Sequence, residues 1–368
     1  MKYYVIAGEA SGDLHGSNLI REIKAKDANA NVRAWGGDEM EAAGATIVKH
    51  YRELAFMGFI EVLLNLFTIL RNIKFCKQDI AEFNPDVLVL IDYPGFNMRI
   101  AQWAKKEGVK VVYYISPQIW AWKKGRVHKL KRDVDRMLVI LPFEPEFYGR
   151  YAMPVDYVGH PLLDAIDKLS EREETLPKSL TTDKKIIALL PGSRKQEITK
   201  MLSVMLEMVS AYPDFQFVVA GAPSQDESFY KGIMQGYDVP IVFGETYALL
   251  SHAHAALVTS GTATLETALF EVPEVVCYKG NPISYMIARW LVDIKYISLV
   301  NLIADRELVK ELIQGDMNTR HLKMELNKCL DGPHREKLIA EYKRMKERLG
   351  GGGASEKAAT IILEEAAE

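Results

Sequence analysis

Tyr3-Tyr4-Val5-Ile6-Ala7, then Gly8-Glu9-Ala10-Ser11-Gly12-Asp13, then the periodic run Leu14 to Ile23, reads as strand, turn and helix. The apolar run does not alternate, so a strand there is covered on both faces, as in a parallel sheet. The small residues that follow leave backbone N–H groups bare where a helix starts. That is the carboxyl edge of a parallel sheet, where anions and sugars bind. The same grammar returns twice in the second half. Ile186-Ile187-Ala188-Leu189-Leu190 runs into Pro191-Gly192-Ser193-Arg194, and Ala255-Ala256-Leu257-Val258 runs into Thr259-Ser260-Gly261-Thr262. Three such turns in two similar halves predict ligands held between two nucleotide-fold domains.

Outward from these turns, apolar runs alternate with helical patterns, the signature of parallel α/β layers. Strands are expected at 2–7, 31–35, 45–48, 86–91, 110–115, 136–140 and 155–158. A second set is expected near 185–190, 215–220, 240–243, 255–258 and 274–277, with only helices beyond Asn301. The stretch Lys168 to Asp183 is polar, charged and broken by a proline, which suits a linker. The organisation predicted is a first domain over 1–167, a linker at 168–183, a second domain over 184–335 and C-terminal helices over 336–368. Four glycines, Gly350 to Gly353, form a flexible joint before the last helix, which can then pack on the first domain or on a partner subunit.

Composition excludes several classes. At 368 residues, 48% hydrophobic and 26% charged, the chain is an ordinary globular protein of more than one domain. A net charge of -3 argues against coating nucleic acid. Cys76, Cys277 and Cys329 are far apart, odd in number and without metal-ligand spacing, which predicts reduced thiols in a cytosolic setting. The N-terminus enters a strand at once, so no secretory signal is expected. The first turn is Gly8-x-x-x-Gly12-x-x-x-Gly16, without the tight spacing of a nicotinamide site, and no acid closes the second strand at Ala34-Trp35-Gly36-Gly37-Asp38. With no Walker loop, no paired metal-binding histidines and eight dispersed histidines, the expectation is a mechanism without metal or cofactor.

The second-half turns have the chemistry of a nucleotide-diphosphate site. Gly192, Ser193 and Arg194 offer a compact turn, a hydroxyl and a guanidinium that forks onto phosphate oxygens. Ser260, Gly261 and Thr262 add hydroxyls and N–H groups at the next helix start, and Glu266 lies one helical turn further on, where a carboxylate can accept from ribose hydroxyls. Taken alone, Glu266 is more simply a favourable first-turn acid. In the first half, Asp92 closes the apolar strand Val87 to Ile91 and is placed to take a proton from a hydroxyl nucleophile; a turn aspartate is an equal reading. Ser116-Pro117-Gln118-Ile119-Trp120-Ala121-Trp122 ends another strand, its tryptophans either stacking on a sugar or covering the sheet. A basic stretch from Lys123 to Arg136 abuts it and suits an anionic substrate or lipid headgroup. Leu54 to Leu70 has polar or small breaks only at Gly58, Glu61, Asn65 and Thr68, a narrow polar stripe beside a wide apolar arc. It is too short and too charged to span a bilayer, leaving a core or dimer helix, or a face that dips into lipid.

Taken in order and spacing, these motifs resemble lipid-A-disaccharide synthase, a family of inverting glycosyltransferases of the two-domain GT-B type. The resemblance rests on Gly8-Glu9-Ala10-Ser11-Gly12-Asp13, Asp92-Tyr93-Pro94-Gly95-Phe96-Asn97, Ser116 to Trp122, Gly159-His160-Pro161, Leu190 to Arg194 with Glu197, Ser260 to Glu266, and Asn301-Leu302-Ile303. Val300 departs from it, since the family usually has proline there. The resemblance implies an α/β protein of two Rossmann-like parallel-sheet domains facing a central cleft, with a helical C-terminal extension. It implies transfer of 2,3-diacylglucosamine from UDP-2,3-diacylglucosamine to 2,3-diacylglucosamine 1-phosphate, giving a β-1,6-linked disaccharide phosphate and UDP. The site would be cytoplasmic, on the inner face of the inner membrane. Asp92 would be the base; Gly192, Ser193, Arg194, Ser260, Gly261, Thr262, Glu266 and Asn301 would hold UDP; Ser11, Gly12, Asp13, Trp120 and Lys123 would line the acceptor loop. Phe59, Leu63, Leu66, Phe67 and Leu70 would meet the membrane. A homodimer stays open, as do two rivals: a UDP-sugar 2-epimerase of the same fold and a non-enzymatic membrane-associated binding protein.

Overall fold

Apolar runs without polar alternation become the covered strands of parallel sheets, and both halves of the chain do this. A computed structural model describes residues 1–53, 66–170, 180, 183–291 and 294–367. The chain divides into two units, Met1–Asp164 with Gly351–Glu368, and Ala165–Gly350.

The first unit holds β1 (Lys2–Ala7), β2 (Asn31–Gly36), β3 (Thr46–His50), β4 (Val87–Ile91), β5 (Lys110–Tyr114), β6 (Arg136–Val139) and β7 (Asp156–Tyr157). They form one seven-stranded parallel sheet in the order β3-β2-β1-β4-β5-β6-β7. The second unit holds β8 (Lys185–Leu190), β9 (Phe215–Gly221), β10 (Ile241–Phe243), β11 (Ala253–Thr259), β12 (Glu274–Tyr278) and β13 (Glu311–Ile313). These form a six-stranded parallel sheet ordered β10-β9-β8-β11-β12-β13. Each order reverses beside its first strand, so the loops after β1 and β4, and after β8 and β11, flank a topological switch point. Ala7 pairs with Ile91 in one sheet and Leu190 with Val258 in the other.

Two expectations are corrected. The first helix spans Ala10–Lys26 rather than starting at Leu14, with Glu9 as its extended N-cap. Gly12 and Gly16 punctuate like turn residues, but here they let the helix lie close to its neighbours: a Cβ on Gly12 would sit 3.0 Å from that of Ala7 in β1, and one on Gly16 would meet the Met40 side chain of the helix Asp38–Ala42 at 2.2 Å. Beyond Asn301 the chain is not all helical, because β13 adds an edge strand to the second sheet. Three residues are too few to show a period.

Among the described residues, the first core gathers Tyr4, Ile6, Trp35, Leu88, Leu90 and Tyr113. Its polar tips are satisfied: Trp35 Nε1 donates to the Tyr4 hydroxyl at 2.9 Å, which donates to Asp79 at 2.6 Å, and Arg33 Nε donates to the same carboxylate at 2.9 Å. The second core is built on Ile186, Ala188, Val218, Ala256 and Val258. The last helix, Ala354–Ala367, packs on the helix Ala10–Lys26 in the first unit and buries Ala354, Ala358, Ala359 and Ile362.

Of the wide apolar stretch Leu54 to Leu70, residues 54–65, including Phe59 and Leu63, lie outside the described residues. Leu66 opens the helix Leu66–Phe83. On it Phe67 is 88% exposed and Leu70 48%, while Ile73, Cys76 and Ile80 are buried. Among the described residues no helix is long and apolar enough to cross a membrane.

Candidate active site

At the first switch point the chain leaves β4 through two consecutive left-handed residues, Asp92 (φ 43°) and Tyr93 (φ 49°). Neither is glycine, and each such residue costs about 1–3 kcal/mol unless its surroundings hold it. The hold is visible. Asn97 Nδ2 donates to the carbonyl oxygens of Asp92 at 2.8 Å and of Ile91 at 3.2 Å, and the Tyr113 hydroxyl donates to the Asp92 carbonyl at 2.6 Å. The Tyr93 ring lies over Gly8, where any Cβ would meet it at 2.4 Å. The glycine after β1 is therefore required by the turn after β4. Burial, reinforced by the charge of Glu9, pushes the Asp92 carboxyl from its ordinary 3.8 to about 7. A carboxyl that titrates near neutrality at a sheet's carboxyl edge is suited to proton transfer. The next loop also has left-handed residues: Ile115 (φ 63°) follows β5 and Lys123 (φ 56°) follows the tryptophan segment.

The residues expected in the acceptor loop divide. Ser11 is exposed in the first turn of its helix. Asp13 is turned inward: Oδ1 accepts from Gly37 N at 2.7 Å and Met40 N at 3.1 Å, and Oδ2 from Glu39 N at 3.1 Å, so it caps the helix Asp38–Ala42. Trp120 is also turned inward, 8% exposed and edge-on to Phe143 with centroids 5.0 Å apart. Trp122 is the half-exposed one, with Lys123 Nζ 4.3 Å and the Arg126 guanidinium 5.2 Å from its ring. Glu144, which sequence reasoning missed, is buried beneath this loop and accepts from Ile140 N at 3.0 Å and Leu141 N at 2.8 Å; burial pushes its carboxyl up to about 7.

At the second switch point Gly192 adopts φ 101°, a backbone that favours glycine, and Arg194 is the N-cap residue of the helix Lys195–Leu206. Arg194 is more than half exposed and its Nη1 lies 3.2 Å from Glu197 Oε1. The helix Thr262–Leu269 starts after Gly261 with no side chain capping it, so its first N–H groups are offered outward with the positive end of the dipole. Ser260 does not cap: its hydroxyl donates to Ile297 O at 2.9 Å. Glu266 is half-buried, accepts from the Tyr247 hydroxyl at 3.1 Å, and is raised by burial against that hydrogen bond.

Asn301 does not face this site. It is fully buried, its Oδ1 accepting from Leu308 N at 2.7 Å and Val309 N at 2.9 Å, its Nδ2 donating to Val309 O and Glu311 Oε1, both at 2.9 Å. Glu311, also missed from sequence, accepts from Ile297 N, Ser298 N and the Ser298 hydroxyl as well. The two residues fix the Ile297–Ser298 backbone that receives the Ser260 hydroxyl. Val300 is the second residue of the helix Leu299–Ala304, which Ser298 caps. A proline is tolerated in that first turn, and valine keeps the same path. Among the described residues no cluster of three or more histidine, cysteine, aspartate or glutamate side chains could hold a metal.

The chain is similar to known proteins along nearly its whole length. A family described as lipid-A-disaccharide synthetase matches residues 3–364. The lipid-A-disaccharide synthase of Geobacter sulfurreducens is 40% identical over 368 residues, covering 98% of this chain and 96% of its own. That of Syntrophus aciditrophicus is 41% identical with the same coverage. Among solved structures, the UDP-GlcNAc 2-epimerase of Methanocaldococcus jannaschii, in complex with UDP-GlcNAc and UDP, superposes with a TM-score of 0.68 at 13% identity, over 99% of this chain and 100% of that one. The glycosyltransferase of kitacinnamycin gives 0.68 at 15%, over 99% and 98%. At such identities these two speak to fold alone: two parallel-sheet α/β domains of the GT-B kind.

Proposed function

Because the chain belongs to the lipid-A-disaccharide synthase family of glycosyltransferases, we propose that it joins two acylated glucosamines. The donor is UDP-2,3-diacylglucosamine and the acceptor 2,3-diacylglucosamine 1-phosphate. The acceptor's 6-oxygen attacks the donor's anomeric carbon, a C–O bond forms there with inversion, the bond to the diphosphate breaks, and UDP leaves with the electron pair. The proton of the 6-hydroxyl passes to the Asp92 carboxylate. Arg194 and the open N-termini of the helices Lys195–Leu206 and Thr262–Leu269 receive the charge that builds on the diphosphate. Glu266 takes the ribose hydroxyls. Asn301 and Glu311 act at one remove, by holding the backbone that Ser260 grips.

The observation that carries this reading is the pairing of chemistries at the two switch points: a carboxyl raised to about 7 at one, and an exposed arginine beside uncapped helix starts at the other. The acceptor is assigned to the first unit and the donor to the second. Work at the inner face of the inner membrane is supported by the exposed Phe67 and Leu70 at the end of the apolar stretch. The epimerase likeness is one of fold, and an epimerase of soluble sugars has no use for that surface. Incubating the purified protein with both acylated substrates and analysing the products by mass spectrometry tests the proposal; absence of both free UDP and the disaccharide phosphate would sink it.

A further inference from the structure

The helix Pro282–Leu291 carries one charge in ten residues, PISYMIARWL, yet leaves Trp290 86% and Met286 67% exposed. These two side chains are one turn apart on one face, and Arg289 lies three residues past Met286 beside them. An apolar helix in its own unit buries its tryptophan; this one points it at solvent. Lys279 and Lys295 bracket the helix, so residues 279–296 hold three basic residues against Asp293 alone. Lys295 is highly exposed and its ion pair with Asp305 is a loose surface one of 3.6 Å.

The helix also starts at the candidate donor site. It follows β12, whose last residue Tyr278 lies tilted against Tyr285 with centroids 6.2 Å apart, and the Tyr278 hydroxyl feels the charges of Glu197 and Arg194. We propose that Met286, Arg289 and Trp290 form a lipid-contacting surface on the second unit, seated at the interface of a bilayer with anionic headgroups. Tryptophan favours that depth, and the basic residues beside it meet the headgroup phosphates. A symmetric contact between two copies of the helix would instead bring the basic residues of one against those of the other, which is unfavourable. The inference rests on the glycolipid reading of the donor site: a donor anchored in lipid by its acyl chains is met by a donor-side unit that itself touches the bilayer.

The test uses the full chain and vesicles of phosphatidylglycerol in phosphatidylcholine. Met286→Ser with Trp290→Ser should lower co-sedimentation at least about tenfold, while UDP affinity stays unchanged. Trp290→Phe, which keeps the apolar face, should retain most of the binding, and Arg289→Gln should lose binding to the anionic vesicles but little to pure phosphatidylcholine. Unchanged co-sedimentation of the double variant overturns the proposal. So does the loss of a dimer in sedimentation velocity with vesicle binding intact, since the face would then be covered by a second copy. Substrates dispersed in detergent separate the two readings: the double variant should turn over normally there. A wild-type protein without turnover in detergent would sink the functional assignment whatever the vesicles show.

Discussion

At Asp92, backbone strain and burial act on a single carboxyl. Asp92 is held in a left-handed turn by hydrogen bonds to its own carbonyl, and its carboxylate is mostly buried beside the Tyr93 N–H. Its acid form is favoured up to about pH 7 in the folded protein against an ordinary 3.8. Between those values the native state keeps a proton that the unfolded chain has released, so this group's contribution to stability falls as pH rises through the window. Asp92→Asn should therefore gain stability relative to wild type as pH is raised from about 4 to about 8, measured by denaturant titration at several pH values. Turnover should respond in the opposite sense. A base must be ionised, so wild-type kcat/KM should climb through pH of about 7, and Asp92→Asn should lose about 100- to 10,000-fold with UDP affinity kept. Glu9→Gln removes the neighbouring charge and should move the acid limb of that profile to lower pH. A variant Asp92→Asn retaining more than about a tenth of wild-type turnover would place the base elsewhere. Asp13 is a poor alternative, because its carboxylate already accepts three backbone N–H groups.

At the scale of elements, the strand–turn–helix units were legible because their chemistry is local. An unalternating apolar run, a glycine-rich turn and a helix start are contiguous in sequence, and the switch point follows from chain order alone. The prediction there is correspondingly direct: Arg194→Ala should weaken UDP binding by about 1.5–3 kcal/mol, tenfold or more, in a calorimetric titration. What sequence could not give is the direction in which a loop side chain turns. Asp13 sits in the first turn of the helix Ala10–Lys26 and Trp120 in its expected loop, but Gly37–Met40 and Phe143, distant in sequence, draw them inward. Asn301 was carried by resemblance alone, and the strand that explains it is three residues long and announces no period. Glu311 on that strand takes four donors, from Ile297, Ser298 twice and Asn301. Hydrogen bonds to a charged group are worth about 1.5–3 kcal/mol, so Glu311→Ala should destabilise the second unit by about that much and loosen UDP binding with it. Thermal unfolding with and without UDP separates the two effects. Full stability together with weak binding would make Glu311 a ligand contact instead of a support.

On the scale of the whole molecule, the first unit is finished by residues from the far end of the chain. Gly350 and Gly353, at φ 83° and 92°, let the chain turn out of one helix and into the next. Asp164 then accepts from Gly353 N at 2.6 Å, Ala354 N at 3.1 Å and Ser355 N at 2.8 Å, capping the last helix across nearly two hundred residues of sequence. The alanines of that helix allow close approach to the helix Ala10–Lys26, and Lys26–Glu356 and Lys110–Glu365 pair at its two ends. The helix Ala10–Lys26 is the one whose first turn carries Ser11, so the C-terminal segment braces the candidate acceptor site from behind. Asp164→Ala removes the cap only. At the upper end of capping energies, about 2 kcal/mol, it should raise amide exchange in Ala354–Ala367 by roughly thirtyfold. Exchange should rise less in Ala10–Lys26 and remain unchanged in β8, β9, β11 and β12. Uniform acceleration through both sheets would mean that the last helix is coupled to global unfolding and not a brace on one unit. Unchanged exchange in the helix itself would mean that its packing face, Ala354, Ala358, Ala359 and Ile362, holds it without the cap.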